Sequence, residues 1–182
     1  MAINVRLQRL FDDKRSSYAI LPHPDAYTAR EVAHRVRVKS SQLAKVVVVR
    51  DKAGRDFMVV LPASRKLDLH ALHTMTGRVG FQLENEQELK LLFPDCEVGA
   101  MPPFGFLYGL KTYVDPCLLK GDDIFFQAGN HHEVVLMRRN HFEVIARPFY
   151  AGACLHLQVD HHKGAVFGRQ AVAHGSESGR SS

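Results

Sequence analysis

Hydrophobic positions along the chain follow two periods, which predicts short helices interleaved with short strands. Between residues 4 and 14, Val5, Leu7 and Leu10 recur at helical spacing, whereas 43–49 is a β-branched run typical of a buried strand. The full prediction is helices over 4–14, after Thr28, and over 68–76, 85–93 and 140–148, with strands over 18–21, 43–49, 57–61, 79–81, 112–114, 124–128 and 134–137.

Several element ends carry local signals in the sequence. Thr28 and Glu31 have the spacing of a capping box, in which each residue satisfies a free amide at the helix start. Asp68 and Asn140 are predicted to cap the starts of two further helices. Residues 51–54 have the composition of a hairpin turn between two strands.

The order of these elements predicts the fold class. Strands slightly outnumber helices and most of them neighbour each other in sequence, which favours an α+β fold with a mixed sheet over a doubly wound parallel sheet. We predict one domain over residues 1–150. From about residue 151 the apolar period is lost among Gly, Ser, His and Ala, so we predict a flexible or disordered tail over 151–182.

The charge of the chain is positive and unevenly distributed. Its 182 residues carry a net charge of +5, and 46% of them are hydrophobic, enough for one domain with a core. The segment 30–50 carries six cations against Glu31 alone; they are Arg30, Arg35, Arg37, Lys39, Lys45 and Arg50. Such a strip favours a polyanion, usually nucleic acid, and the alternative is a solvated face.

Cysteine usage and hydropathy bear on the compartment. Cys96, Cys117 and Cys154 are far apart, which argues against a disulfide scaffold or a cysteine zinc site and fits a reducing cytoplasm. Charged residues interrupt the N-terminal stretch, so it does not resemble a signal peptide. No run approaches the roughly 18–20 apolar residues that a membrane helix needs. We therefore predict a cytoplasmic protein without a membrane partner.

The segment 99–105, Gly-Ala-Met-Pro-Pro-Phe-Gly, is too rich in glycine and proline for a helix or a central strand. Pro102 and Pro103 fix φ, so the loop is stiff, while Gly99 and Gly105 permit a ligand to approach the main chain. This composition suits binding of a small polar group by backbone amides. The alternative is a structural turn.

Two further positions are candidates for chemistry. Lys45 lies at the N-terminal end of an otherwise apolar strand, where it could offer a positive charge to a phosphate or a developing oxyanion. Alternatively, its stem lies along the sheet and its ammonium reaches water. His131 and His132 lie between two strands, and one of them should point inward, where it could exchange a proton; both could also be surface residues.

Several common catalytic arrangements are not indicated. The histidines lack zinc-site spacing, so we predict no metal. No serine has the Gly-x-Ser-x-Gly context of a nucleophile, and Walker and Rossmann glycine patterns are not found. We predict no cofactor.

Taken together, seven stretches occur in an order that resembles the YbaK / prolyl-tRNA synthetase-associated domain family. They are residues 18–24, 27–33, 44–48, 61–63, 99–105, 114–115 and 128–131. The resemblance runs from about residue 5 to 149. It implies a mixed sheet, partly barrel-like, surrounded by helices, and a freestanding deacylase that hydrolyses the ester between a wrong amino acid and the tRNA 3′ end.

The resemblance also implies roles for individual residues. The family's lysine corresponds to Lys45, its Gly-x-x-x-Pro loop to residues 99–103, and its histidine to His131, with His132 as a competing choice. The implied catalytic residues are Lys45, Gly99, Ala100, Met101 and His131; the implied substrate-binding residues are Tyr27, Thr28, Pro103, Phe104 and Gly105; the implied tRNA-binding residues are Arg30, Arg35, Arg37 and Lys39.

An editing reaction would agree with the candidate residues and with the lack of nucleophile and metal patterns in the sequence. An aminoacyl ester is already activated, so its hydrolysis needs a positioned water and oxyanion stabilisation rather than a covalent nucleophile. Small or near-cognate amino acids such as alanine, serine or cysteine are plausible substrates. Met101 is bulkier than is common in this loop and could reshape the amino-acid pocket. The alternative function is a non-catalytic module that binds aminoacyl-tRNA or a synthetase.

Overall fold

The computed structural model describes residues 3–152 and 154–155. Five α-helices occur in this part of the chain: α1 Val5–Asp13, α2 Ala29–Arg35, α3 Leu69–Thr76, α4 Glu86–Leu92 and α5 Arg139–Ala146. The strands are β1 Tyr18–Pro22, β2 Ala44–Arg50, β3 Asp56–Pro62, β4 Lys66–Leu67, β5 Gln82–Leu83, β6 Lys111–Val114, β7 Asp123–Gln127, β8 Glu133–Arg138, β9 Phe149–Tyr150 and β10 Cys154–Leu155. Short 3-10 helices span Gly105–Tyr108 and Pro116–Lys120.

The strands form two larger sheets and one two-stranded pair. The five-stranded sheet has the order β5-β2-β3-β6-β9, in which β3, β6 and β9 are parallel and the other pairs are antiparallel. The three-stranded sheet β1-β8-β7 is antiparallel throughout. Within the described residues, an isolated bridge between Leu43 and Phe125 joins the two sheets, and the sheets do not close into a barrel. The predicted α+β class with a mixed sheet is confirmed.

The main core lies between the sheets and is centred on aromatic rings. Phe104 is fully buried, and its ring contacts those of Phe11 in α1, Phe126 in β7 and Phe142 in α5 at centroid distances of 5.4 to 5.9 Å. The contacts with Phe11 and Phe126 are edge-to-face and the third is tilted, and aromatic pairs add about 0.5–1.5 kcal/mol each beyond the buried area. The segment that follows Met101 is therefore anchored in the centre of the domain.

Helix α2 covers the opposite face of the three-stranded sheet. In β8, Val135 and Met137 pack in the main core, while Val134 packs with Val32 and Ala33 of α2. This alternation follows from the two-residue period of a strand. Helices α1 and α2 consequently lie on different faces of that sheet.

Local sequence signals fixed several helix ends. Thr28 accepts a hydrogen bond from the Glu31 amide while the Glu31 carboxylate accepts from the Thr28 amide, which confirms the capping box. These bonds from the main chain and side chain of Thr28 hold the pKa of Glu31 below its ordinary value. Asp68 caps α3 as predicted, accepting from the amides of His70 and Ala71.

Two local predictions are wrong. The strand expected over 79–81 lies instead at Gln82–Leu83, and Val79 is exposed. Asn140 does not cap α5, because the helix begins at Arg139 and the Asn140 side chain accepts only from the amide of the next residue, His141. The short strand pairs with Val49 and Arg50 of β2, so its position follows from that pairing rather than from the apolar residues at 79 and 81.

The described chain continues beyond the predicted domain boundary at residue 150. Ala151 is buried, and its amide donates to the carbonyl of Val114. Cys154–Leu155 then pairs with Lys66–Leu67. Residues 153 and 156–182 of the predicted tail lie outside the described part. Within that part, no helix has the length and apolarity to cross a membrane.

Candidate active site

The loop 99–105 commits most of its backbone amides to internal bonds. The Gly99 amide donates to the Met101 Sδ at 3.2 Å, and the Ala100 amide donates to the Glu97 carbonyl at 2.9 Å. Further along, the amides of Phe104 and Gly105 also have partners inside the protein. These bonds hold the loop in one conformation.

One amide of this loop is uncommitted. The Met101 N–H has no hydrogen-bond partner among the residues that the structure describes. Pro102 and Pro103 carry no N–H, so neither can donate. The three donors expected at Gly99, Ala100 and Met101 thus reduce to one, at Met101. A fixed amide without a partner is the type of group that stabilises an oxyanion.

His131 packs against the start of the loop and is the inward member of the histidine pair. It is 7% exposed, and its Nε2 lies 3.0 Å from the carbonyl oxygen of Val98. Because a carbonyl only accepts, Nε2 carries the proton and Nδ1 accepts from Gln127 Nε2 at 3.4 Å. Both ring nitrogens therefore have protein partners, which suits a residue that positions the loop.

The conformation of Gly99 is matched to this histidine. Its φ is +91°, in a region that residues other than glycine rarely adopt. A Cβ added at Gly99 would lie 3.6 Å from His131 Cε1. His132 instead points outward, and its Nδ1 lies 3.0 Å from an oxygen of Asp25. The prediction that one histidine points inward and the other outward is confirmed.

Tyr27 lies on the outer side of His131. The two rings are 4.9 Å apart between centroids, although Tyr27 is 69% exposed. The ring is therefore available to a base or sugar as a stacking surface. Thr28 is exposed, but its hydroxyl is occupied in the cap of α2.

Glu97 is a site residue that the sequence reasoning missed. Its carboxylate accepts from the His131 amide at 2.8 Å, its carbonyl accepts from Ala100, and its own amide donates to Gly129. Glu97 thereby connects the loop to the turn that carries His131. The one sequence feature that could have indicated Glu97 is its position two residues before Gly99.

Lys45 contacts the turn after β3 rather than the loop 99–105. Its Nζ donates to the carbonyl of Arg65 at 2.6 Å, and the residue is half-buried. Its neighbours Ala44 and Val48 pack in the core cluster that contains Met101, so strand alternation places Lys45 on the other face of β2. The lysine and the loop amide therefore belong to different faces of the sheet.

The remaining loop residues that were expected to contact substrate are buried. Phe104 is fully buried in the aromatic core, and Pro103 and Gly105 are buried beside it. A Cβ on Gly105 would overlap the Thr112 Oγ1. The Met101 side chain, 5% exposed, also packs in the core. These residues pack in the interior behind the loop, so the structure does not expose them to a substrate.

The basic strip is shorter than its sequence suggests. We define it as the four exposed cations Arg30, Arg35, Arg37 and Lys39, none of which forms an ion pair within 4.0 Å in the described part of the chain. Arg50, in contrast, contacts the carboxylates of Asp56, Glu84 and Glu88. Its charge is compensated, so it does not extend the strip.

Comparison with solved structures defines the class of fold. The hypothetical protein APE2540 aligns with a TM-score of 0.74 and 19% identity, covering 82% of this chain and 99% of that one. A candidate trans-editing enzyme for prolyl-tRNA synthetase aligns with a TM-score of 0.72 and 19% identity, covering 83% and 96%. These alignments show that the chain shares the fold of both solved proteins.

The chain belongs to the aminoacyl-tRNA editing domain family, whose model matches residues 23–143. Among curated proteins, it is 27% identical over 147 residues to the multifunctional Ser/Thr-tRNA deacylase ProXp-y of Escherichia coli K12. That alignment covers 79% of this chain and 87% of the relative. The predicted family resemblance is confirmed.

Proposed function

We propose that this protein is a trans-editing hydrolase, which removes a wrong amino acid from the 3′ end of tRNA. Its membership of the editing family and the likeness to a curated deacylase support this function. The single structural observation that supports it best is the Met101 amide, which has no partner among the described residues in a loop whose other amides are committed.

The reaction needs few protein groups. Water forms a bond to the ester carbonyl carbon, the carbon–oxygen bond to the ribose breaks, and the ribose oxygen takes a proton. Negative charge develops on the carbonyl oxygen before that bond breaks, and a fixed N–H donor lowers the energy of this state. Met101 supplies this donor. The neighbouring ribose hydroxyl helps to deprotonate the water, a substrate-assisted route that the family resemblance implies.

Lys45 and His131 have separate roles in this proposal. The Lys45 ammonium, held by the Arg65 carbonyl, binds a phosphate or other charge of the terminal nucleotide. His131 fixes the loop by donating to Val98 rather than by contacting the water directly. Tyr27 offers its exposed ring to the terminal base or sugar.

The basic strip contacts the tRNA backbone. Its four cations are exposed and lack ion-pair partners in the described part, so they can neutralise phosphates at little desolvation cost. Such contacts position the tRNA without reading its sequence. A synthetase is a further partner in this proposal, and the cytoplasm, where charged tRNA is used, is the compartment.

The curated relative's name suggests seryl- and threonyl-tRNA as the first substrates to test. Alanyl- and cysteinyl-tRNA complete the set of small side chains. Because the Met101 side chain lies in the core, we assign the selection of the amino acid to other residues.

A panel of mischarged tRNAs tests the proposed function. Release of free amino acid from at least one of them, faster than spontaneous hydrolysis, is the expected result. Salt-sensitive tRNA binding without release from any member of the panel would instead support the non-catalytic binding module. Binding is measured by filter retention over a series of salt concentrations.

A further inference from the structure

One exposed carboxylate lies directly beside the candidate active site. The Glu97 side chain is 42% exposed, and one of its oxygens accepts from the His131 amide and lies 4.0 Å from His131 Nε2. A surface cleft of about 350 Å³ borders Glu97, with Gly129 and Asn130 among its other lining residues. The side chain thus combines a fixed position with access to solvent.

The other carboxylates near this site have different partners. Asp25 is paired with His132 on the outer surface. Glu31 closes the cap of α2, and Glu133 accepts from the Asn130 side chain. Among the described residues, the Glu97 carboxylate accepts from the His131 amide and is otherwise without a hydrogen-bond donor, so it keeps acceptor positions for a ligand.

The substrate carries a group that such a carboxylate recognises. An aminoacyl ester has an α-ammonium one carbon away from the carbonyl that water attacks. The Ala100 amide donates to the Glu97 carbonyl, which holds Glu97 and the Met101 amide within one tight turn. A substrate whose carbonyl oxygen accepts from Met101 would therefore carry its ammonium close to the Glu97 segment.

We propose that Glu97 is a specificity-determining residue that binds the α-ammonium group of the aminoacyl moiety. This inference rests on the proposed function. The charge-assisted bond favours esters of amino acids over esters of acids that lack the amine. It also orients the carbonyl toward the Met101 amide, which links recognition of the amine to stabilisation of the oxyanion.

The test compares matched substrates that differ in the amine alone. Alanyl-tRNA and seryl-tRNA are each compared with the lactyl- and glyceryl-tRNA made from them by replacing the amine with hydroxyl. We expect the wild-type protein to prefer the amine by about 10- to 100-fold in kcat/KM, since hydrogen bonds to charged groups contribute about 1.5–3 kcal/mol. Glu97→Gln should reduce this preference to about 3-fold or less.

Glu97→Gln keeps an oxygen that can accept from the His131 amide, so the loop should remain folded. Asp95→Asn is the matched control, because Asp95 lines the same cleft but is paired with Arg6 at 3.0 Å. This control should keep the full preference for the amine. Equal unfolding midpoints in urea for the three proteins exclude a general loss of structure.

Three outcomes would overturn the inference. A wild-type protein that hydrolyses both members of a pair equally has no ammonium site. Parallel loss of both activities in Glu97→Gln would give Glu97 a structural role only, and loss of preference in Asp95→Asn would move the site to Asp95. If the panel identifies threonyl- or cysteinyl-tRNA as the substrate instead, the matched pair is made from that amino acid in the same way. If the wild type hydrolyses none of these esters, the proposed function on which the inference rests fails.

Discussion

Replacing Lys45 by methionine separates its charge from its packing. Lys45 lies in the second strand of the five-stranded sheet, and its Nζ donates to the Arg65 carbonyl. Methionine has a similar unbranched stem without the ammonium. The substitution therefore removes one charged donor and leaves most of the apolar contact in place.

The expected effects on rate and stability differ in size. Loss of the charged donor that holds the terminal nucleotide would misplace the ester relative to the Met101 amide, which corresponds to about a 10²-fold decrease in the single-turnover rate. The stability change should be about 1.5 kcal/mol, the lower end for a hydrogen bond from a charged donor, because Lys45 is only half-buried. A large kinetic effect with a small stability effect is the expected pattern.

The assay is single-turnover release of amino acid from the mischarged tRNA that the panel identifies, with protein in excess. Urea unfolding of the same preparations gives the stability change. Lys90→Met, which removes an exposed lysine on α4, is the control and should keep the wild-type rate. A Lys45→Met protein that retains its rate within about 3-fold would refute the role of the ammonium.

Three other measurements test separate parts of the structure. Gly105→Ala should lower the free energy of unfolding by about 2 kcal/mol or more, because the new Cβ would overlap the Thr112 hydroxyl and cannot displace it freely, whereas Gly152→Ala should be neutral in the same urea titration. Each neutral substitution in the basic strip should decrease the magnitude of the slope of log affinity for tRNA against log salt by about 1, whereas Arg9→Gln on α1 should not change it. An unchanged slope for the strip variants would contradict the role of the strip. Burial raises the pKa of the Cys96 thiol to about 11, so alkylation in the native protein should be slow at neutral pH and accelerate only as the pH approaches 11; fast labelling at neutral pH would be inconsistent with this environment.

Elements with local determinants were predictable from the sequence. The capping box of Thr28 and Glu31 depends on residues three positions apart, and the four residues before Arg50 are all valine, so neither needs knowledge of the fold. The parallel pairing of Phe149–Tyr150 with the strand ending at Val114 is different. It joins segments more than 30 residues apart along the printed sequence, and no local pattern specifies such a partner.

The candidate site shows the same division. Stiffness of the proline-containing loop and the inward orientation of one histidine followed from residue types and strand alternation. The burial of Phe104 in the core could not be inferred, because the sequence of a loop does not indicate whether an aromatic side chain within it is buried or exposed. Glu97 was missed since its role depends on a hydrogen bond to His131, 34 residues away.

The structure leaves fewer amides of the loop 99–105 to donate to a ligand than the composition of the loop suggested. A glycine-rich loop can offer several donors, yet Gly99 and Ala100 use theirs to hold the loop. In the proposed mechanism, oxyanion stabilisation therefore depends on the Met101 amide alone. The same proposal requires a rigid loop, which the contacts of His131 and the buried Phe104 support.

The most direct test of the central claim is the rate at which the wild-type protein, in excess and without a synthetase, releases amino acid from mischarged tRNA. Seryl-, threonyl-, alanyl- and cysteinyl-tRNA are followed beside the same substrates in buffer alone. The account predicts release at least about 100-fold faster than spontaneous hydrolysis for one or more of them. Decay of all four at the buffer rate, while the protein still retains the tRNA on a filter, would contradict it.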